Sequence, residues 1–433
     1  MEMKGNTLAI VLLVVGLVVG GGVGYFAAPK ETAPGETITV TVEKAPLTGK
    51  TIQIGYISST TTGLETAVPH VQQMMVPDYN AYAAKLGYDV DFAYLIDDAT
   101  SQGAVHLEKV QGFKSMGINI YIGGGWSSQA SAALSYTNDN NMLMWSASST
   151  TPLLAIADDN LYRMCPDDTV QAPAISRMIQ SMGVKYLVVI QRGDAWADGI
   201  WNFMAPHFEA NGGVILERIR YAGEATEFAN YLQAAEDKLA PAVAQYGVDK
   251  CGIDIISFEE SVTMVTQAQD FPTVYGVKWF GSDGTALTQQ FIDDAPTQSS
   301  HLHIYSTLAA PAETQKFKDL YDKYFALVAR PYGYYTATAY DIGWVLTESI
   351  LTAQSTDALD VIPLQMTTSN NNFGASGWNQ LNEYGDRAVS NYQIWGYGDI
   401  GSGVQNVVYG LYDFLADGVT WNTEDLGFIP TPR

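Results

Sequence analysis

The chain has 433 residues, 47% of them hydrophobic, with 46 acidic side chains against 22 basic ones and a formal net charge of −24. That length exceeds one ordinary core and points to two domains or more. The excess of negative charge repels phosphate backbones and anionic headgroups, which excludes nucleic acid as a partner and leaves a solvated acidic surface.

Leu8 to Ala28 is a run of 21 residues without a charge, long enough as a helix to cross a hydrocarbon layer of roughly 30 Å. It reads as a membrane span or a signal segment. Lys4 precedes it, which predicts a cytoplasmic start and an extracellular globule. The apolar run is longer than that of a cleaved secretory signal, and Lys4-Gly5 before it resembles an archaeal pilin-type signal, cut ahead of the apolar run. Both features predict that the segment is kept. Pro29 to Lys50, rich in Thr, Pro, Glu and Lys, then reads as an extended tether (29–50) between this anchor (1–28) and the globule.

From residue 51 short apolar runs alternate with helical stretches: IQIGYI (52–57), VDFAYLI (90–96), INIYIGG (118–124) and MLMWSA (142–147). A second series follows in YLVVIQ (186–191), VILERIRY (214–221), IDIISF (253–258), VKWFGS (277–282) and HLHIYST (301–307). Strand and helix in rotation predict parallel sheets, here two of four or five strands, in two similar α/β lobes with the ligand between them. The last thirty residues carry an apolar strand and are expected to complete the second lobe.

The stretch IYIGGGWSSQAS (120–131) ends a strand in three glycines and opens a helix on Trp126 and two serines. At a strand's carboxyl end such a loop either holds an anion on helix N-terminal amides or is only a tight turn. Catalytic signatures are lacking in the sequence: there is no GxSxG elbow, no GxxxxGK[ST] loop, and His70, His106, His207, His301 and His303 form no HExxH. His301 and His303 would share one face of a strand, as a metal pair or as part of an exposed edge. The acidic pairs, such as Asp97-Asp98 and Asp167-Asp168, read as loop and cap residues, so no enzyme activity is expected. Cys165 and Cys251 are the only cysteines; they read as two buried thiols, with a disulfide as the alternative.

Several of these stretches, IQIGYISSTTTG, IGGGWSSQASAALSY, NNMLMWSASSTTPLL, LYRMCPDDTVQAPA, VKYLVVIQRGDAWADG, WFGSDG, TATAYDIGW and FGASGWNQLNEYGDRAVSNYQIWGY, stand in an order that resembles the type I periplasmic binding proteins, specifically the leucine/isoleucine/valine-binding family of ABC importers. The resemblance covers 51 to about 400. It implies two Rossmann-like lobes that close like a Venus flytrap: lobe 1 from 51–166 and 308–390, lobe 2 from 167–307 and 391–433. Three crossings, near Met164 to Asp168, Tyr305 to Ala312 and Ser390 to Gly398, would form the hinge.

The resemblance further implies that a ligand carboxylate is held by Ser127, Ser148, Ser149 and Thr150, and an ammonium by Asp283 in WFGSDG, one methylene shorter than the family's glutamate. Hydroxyls and helix amides suit a carboxylate, and a desolvated ammonium needs an acid. Helix capping is the other reading of the serines, and a turn that of Asp283. Trp196, where the family shows tyrosine, and Trp126 would reshape the side-chain pocket, unless they are ordinary core residues; Ser59, Thr60 and Thr61 are further first-loop candidates. The expected function is capture of a free amino acid, branched-chain or hydrophobic, and delivery to an ABC permease and ATPase, with no cofactor and no metal. A ligand-sensing ectodomain is the alternative, set back by the seven residues ahead of the apolar run, which leave no room for an internal signalling domain.

Overall fold

A computed structural model of the chain describes residues 45–422. The predicted anchor, most of the tether and the final eleven residues lie outside the described part. Among the described residues no helix is long and apolar enough to cross a membrane.

The chain opens with β1 (Lys50–Ser58), α1 (Thr61–His70), a π-helical turn (Val71–Met75) and α2 (Val76–Lys85). Next come β2 (Val90–Asp98), α3 (Gly103–Ser115), β3 (Ile120–Ile122), α4 (Ser127–Asp139), β4 (Leu143–Ser146) and β5 (Leu161–Arg163). These strands form a five-stranded sheet in the order β2-β1-β3-β4-β5, every pair parallel. Because a parallel sheet is covered on both faces, its inner strands do not alternate: every residue of β3 is buried. All four residues of β4 are buried. Ile54, Ile122 and Trp145 pack to one side with Ile342, Val345 and Leu346. Ile57, Tyr121 and Met144 pack to the other with Val110, Phe113 and Ala133.

The second sheet is built from β6 (Tyr186–Arg192), β7 (Val214–Tyr221), β8 (Cys251–Ile256), β9 (Lys278–Gly281) and β10 (Tyr305–Ala309), with α5 (Asp168–Ser181), α6 (Ala195–Ala210) and α7 (Ala229–Tyr246) against it. Its parallel part runs β7-β6-β8-β9-β10, the same topology as the first sheet. The sheet then continues through antiparallel β11 (Tyr392–Asp399), β12 (Val404–Asp413) and β13 (Gly418–Trp421) to eight strands. This exceeds the expected four or five: β11 comes back from an excursion into the first lobe, β12 is the apolar strand expected in the last thirty residues, and β11 to β13 follow one another by tight turns with no helix between them. Between β10 and β11 the chain goes back to the first lobe as α8 (Gln315–Val328) and α9 (Tyr334–Ala353). It passes between the sheets at 164–167, 310–314 and 388–391.

A second correction concerns HLHIYST. Residues 296–302 are helical and His303 takes a left-handed φ of 57° at the helix end, so the strand begins only at Tyr305. His301 and His303 therefore do not share a strand face; His301 stacks on Tyr275 instead. Both cysteines are buried and unpaired with each other. The Cys165 thiol donates to the Ser149 carbonyl at 3.3 Å.

One buried ion pair fixes the loop after β4. Arg163, at the end of β5, is fully buried and grips Asp386 through Nε–Oδ1 (2.5 Å) and Nη2–Oδ2 (2.6 Å). Its Nη1 donates to the carbonyls of Ser149 (3.0 Å) and Thr151 (2.8 Å). Every donor on this side of the guanidinium is matched, the condition under which a desolvated pair holds. Asp386→Ala leaves the guanidinium buried without its counter-charge, and urea denaturation is expected to show a loss of about 3–5 kcal/mol; a loss below about 1 kcal/mol would contradict this account.

Candidate functional site

In both sheets the order reverses beside the first strand, at β1/β3 and β6/β8, and such reversal points open a crevice at the carboxyl ends of the strands. The loops after β1, β3 and β4 of one sheet and after β6, β8 and β9 of the other line a single cavity of about 710 Å³, within the usual range for small-molecule sites. Five of the seven predicted site residues line it: Trp126, Ser127, Ser148, Trp196 and Asp283, and Thr60 joins them. Ser149 and Thr150 do not line it. Both are buried behind its wall, and neither hydroxyl has a hydrogen-bond partner.

The glycine loop is a tight turn whose amides are mostly engaged. Gly123 N–H donates to Trp145 O (2.9 Å), Gly124 N–H to His106 Nε2 (2.7 Å) and Trp126 N–H to Gln129 Oε1 (3.3 Å). Gly124 is a steric necessity, with φ +60° and the Ala130 backbone 2.9 Å from where a Cβ would lie, while a Cβ on Gly125 would have to displace the Ser59 hydroxyl, 2.4 Å away. What the loop delivers is the start of α4, whose first amides have no acceptor within the helix. Ser127 sits there. Its Oγ accepts from Thr151 N–H at 3.2 Å, which leaves the hydroxyl proton free to donate into the cavity. The Ser148 hydroxyl instead donates to Gly125 O at 2.8 Å, so its proton is committed and it faces a ligand only as an acceptor.

The opposite wall is acidic. Asp283, after β9, accepts from the Tyr335 hydroxyl of α9 through Oδ2 at 2.6 Å, while Oδ1 is buried without a partner. Burial, only partly offset by that bond, by the Gln171 side chain and by the backbone amides of Asp283 and Gly284, raises its carboxyl above the ordinary value. Behind it Asp168, at the start of α5, is fully buried with neither carboxylate oxygen hydrogen-bonded. Burial first, and then the neighbouring Asp283 charge, push it well above the carboxylate range. Four acids (Glu65, Glu259, Asp283, Asp293) and one base (Arg330) line the cavity, so its field favours a cation. The sequence reads Asp168 and Glu259, each one of a pair of adjacent acids, as loop and cap residues and gives Phe258 and Tyr335 no role in the site. A carboxyl in the first turn of a helix normally serves the helix, and only the fold shows that this one lies beside a second acid.

Aromatic rings bridge the mouth. Trp126 of the first lobe lies parallel to Phe258 of the second, with centroids 4.4 Å apart at 5°, and Phe258 stacks in turn on Trp196 at 4.2 Å and 14°. The Arg192 guanidinium covers this stack, 5.7 Å from Trp126 and 5.3 Å from Phe258, and is held by Asp194 (2.6 Å) and Glu260 (2.8 Å). Thr151 adds a polar crossing, its hydroxyl donating to Ala195 O at 3.2 Å.

Two α/β lobes that face one cleft between the carboxyl ends of their parallel strands define the class of bilobed ligand-binding folds. A model of the receptor family ligand binding region matches residues 71–400, and the chain belongs to that family. Over 396 residues it is 26% identical to an uncharacterized protein of Methanocaldococcus jannaschii, covering 86% of this chain and 91% of that one. Among solved structures it is similar to a leucine binding protein from Thermotoga maritima (TM-score 0.66, 20% identity, covering 82% of this chain and 98% of that one). It is also similar to a branched-chain amino acid transporter substrate binding protein from Streptococcus pneumoniae in complex with isoleucine (TM-score 0.68, 18% identity, 83% and 99%). A third is a solute binding protein of an ABC transporter from Rhodopseudomonas palustris in complex with 3,4-dihydroxybenzoic acid (TM-score 0.66, 15% identity, 84% and 97%). At these identities the likeness establishes the fold, periplasmic binding protein type I, and leaves the ligand to the site itself.

If the Trp126 and Phe258 rings hold the lobes together, alanine at both positions costs less than the sum of the single changes. A double-mutant cycle read by chemical denaturation is expected to give a coupling of about 1 kcal/mol; additive losses would show that the stack carries no interlobe energy.

Proposed function

We propose that the protein is an extracellular solute-binding protein of an ABC importer, which captures a free amino acid between its lobes and delivers it to a permease and ATPase. The observation that carries this reading is the polarity of the cleft: a free hydroxyl proton on Ser127 and the first amides of α4 on one side, a half-satisfied buried carboxyl on Asp283 on the other. A zwitterion answers both walls at once. Its carboxylate meets donors without a buried base, and its ammonium meets an acid whose ionised form burial otherwise disfavours. The apolar wall residues Leu287, Leu327 and Val328 give the aliphatic part of a side chain an apolar surface to pack on. The uncharged run Leu8–Ala28 supports a single-pass anchor that keeps the globule outside the cell. The alternative, a sensor ectodomain, draws on the family's description as a receptor ligand-binding region; a signalling partner that copurifies with the detergent-solubilised protein would favour it.

Two outcomes test the amino-acid reading. Asp283→Asn removes the charge that would face the ammonium while keeping the Tyr335 contact, and is expected to abolish the thermal shift given by amino acids with little change in the unliganded melting temperature; retained affinity would remove Asp283 from the site. Secondly, because burial raises Asp283 and a bound ammonium favours its ionised form, ligand and proton compete for the carboxyl. Calorimetry in buffers of different ionisation enthalpy is expected to show proton release that grows as the pH is lowered from neutral. Affinity should fall as pH is lowered towards the ordinary carboxylate range, where the proton competes with the ammonium; a pH-independent affinity would count against this.

A further inference from the structure

Beside the main cavity, inside the first lobe, lies a second chamber of about 180 Å³, enough for a group the size of a small ring or a short side chain. The two share Gly125, Ser148, Thr66 and Tyr335 as walls. None of the chamber's lining residues is Lys, Arg, Asp or Glu, yet Tyr56, Ser58, Ser59, Thr66 and Thr336 bring hydroxyls to it, and His70 an imidazole.

His70 is the last residue of α1, at the junction with the π-helical turn Val71–Met75. Such widened turns occur often at functional sites. The side chain is only 2% exposed and its Nε2 has no hydrogen-bond partner. Tyr324 and Tyr332 hold the ring edge-on, at 5.5 and 5.7 Å between centroids. Burial lowers its pKa to about 3, so it is neutral at physiological pH and donates or accepts at Nε2 according to tautomer. A buried polar atom left unpaired is costly and rare in a native protein.

We propose that this chamber is a second subsite of the binding cleft and takes an uncharged polar end of the bound molecule, a hydroxyl or a carboxamide, on His70 Nε2. The proposal rests on the reading of the cleft as an amino-acid site. A carboxylate finds no base there, and an ammonium finds no acid. The hydroxyls of Ser58 and Thr66 already donate to the carbonyls of Thr60 and Gly63, but a purely aliphatic group fills the space and leaves the His70 imidazole unpaired, which disfavours it. Among amino acids the chamber therefore selects side chains that end in a hydroxyl or an amide, and the leucine, isoleucine and valine side chains are the disfavoured set.

The test is calorimetry and thermal shift of the full chain in detergent with glutamine, asparagine, threonine and serine against leucine, isoleucine and valine. At least one of the polar set is expected to bind ten-fold or more tightly than any of the aliphatic set. His70→Phe should reduce or invert that ratio, and Thr66→Val, a milder change in the same wall, should move it in the same direction. Tighter binding of the aliphatic set, or a ratio unmoved in whichever of the two variants folds, overturns the subsite while the cleft remains an amino-acid site. Failure of every amino acid to bind overturns the reading of the cleft and the subsite with it.

Discussion

Parallel pairing is the constraint from which the site follows. A strand that runs beside its predecessor in the same direction needs a helix to carry the chain back, so each βα loop emerges on the same edge of the sheet. The order 2-1-3-4-5 occurs in both sheets, and both therefore have a point where consecutive loops diverge. In the first it receives the loop ending in Trp126 and Ser127; in the second, those bearing Trp196 and Phe258. Residues more than a hundred positions apart reach one cavity because each follows a strand.

The two edges are chemically unlike, and that difference is what a ligand reads. The first offers hydroxyls and helix amides, whose dipoles attract an anion without needing a buried base. The second offers Asp283, with Asp168 behind it. The hydroxyl that pairs with Asp283 comes from Tyr335, on a helix of the first lobe, so the acid is already bound across the cleft through one of its oxygens. Burial raises both carboxyls, Asp168 with the added push of the Asp283 charge, so a cation arriving at the free oxygen of Asp283 competes with a proton for it.

Much of this was legible in the sequence, for reasons that can be separated. Strands such as YLVVIQ and IDIISF are continuous apolar runs between helical stretches, and burial on both faces produces that pattern. The glycine loop was legible as a loop because Gly124 and Gly125 have backbones that a side chain would obstruct. Of the antiparallel strands beyond β10, the apolar run of β12 was legible, but the growth to eight strands was not, since tight returns leave no helical punctuation; HLHIYST misled because its first residues carry strand-like composition while completing a helix. Within the site, Trp126, Ser127 and Asp283 stand in short motifs of small residues that draw notice. Phe258, Tyr335 and Asp168 do not: an aromatic at a strand end, a tyrosine in the first turn of a helix and an acid at a helix start all have ordinary structural roles. The engagement of the Ser148 proton by Gly125 O depends on the fold of two loops and has no counterpart in residue type.

The aromatic bridge bears on how closure is divided between protein and ligand. A stacked pair contributes about 0.5–1.5 kcal/mol beyond the area it buries, which shifts an open–closed equilibrium by a factor of roughly 2 to 12. Taking such an equilibrium from one extreme to the other requires about 5.5 kcal/mol of preference for one state. The contact of Trp126 with Phe258, even with the Arg192 guanidinium over it, is too weak to decide closure alone. Its physical effect is to lower what the ligand must contribute, and to do so without regard to ligand identity. Discrimination then falls to groups that only a correct molecule satisfies: the unpaired oxygen of Asp283, the free proton of Ser127 and the imidazole of His70. A molecule that meets one of these and leaves another unpaired gains the stack but forfeits the surplus that separates a closed complex from an encounter.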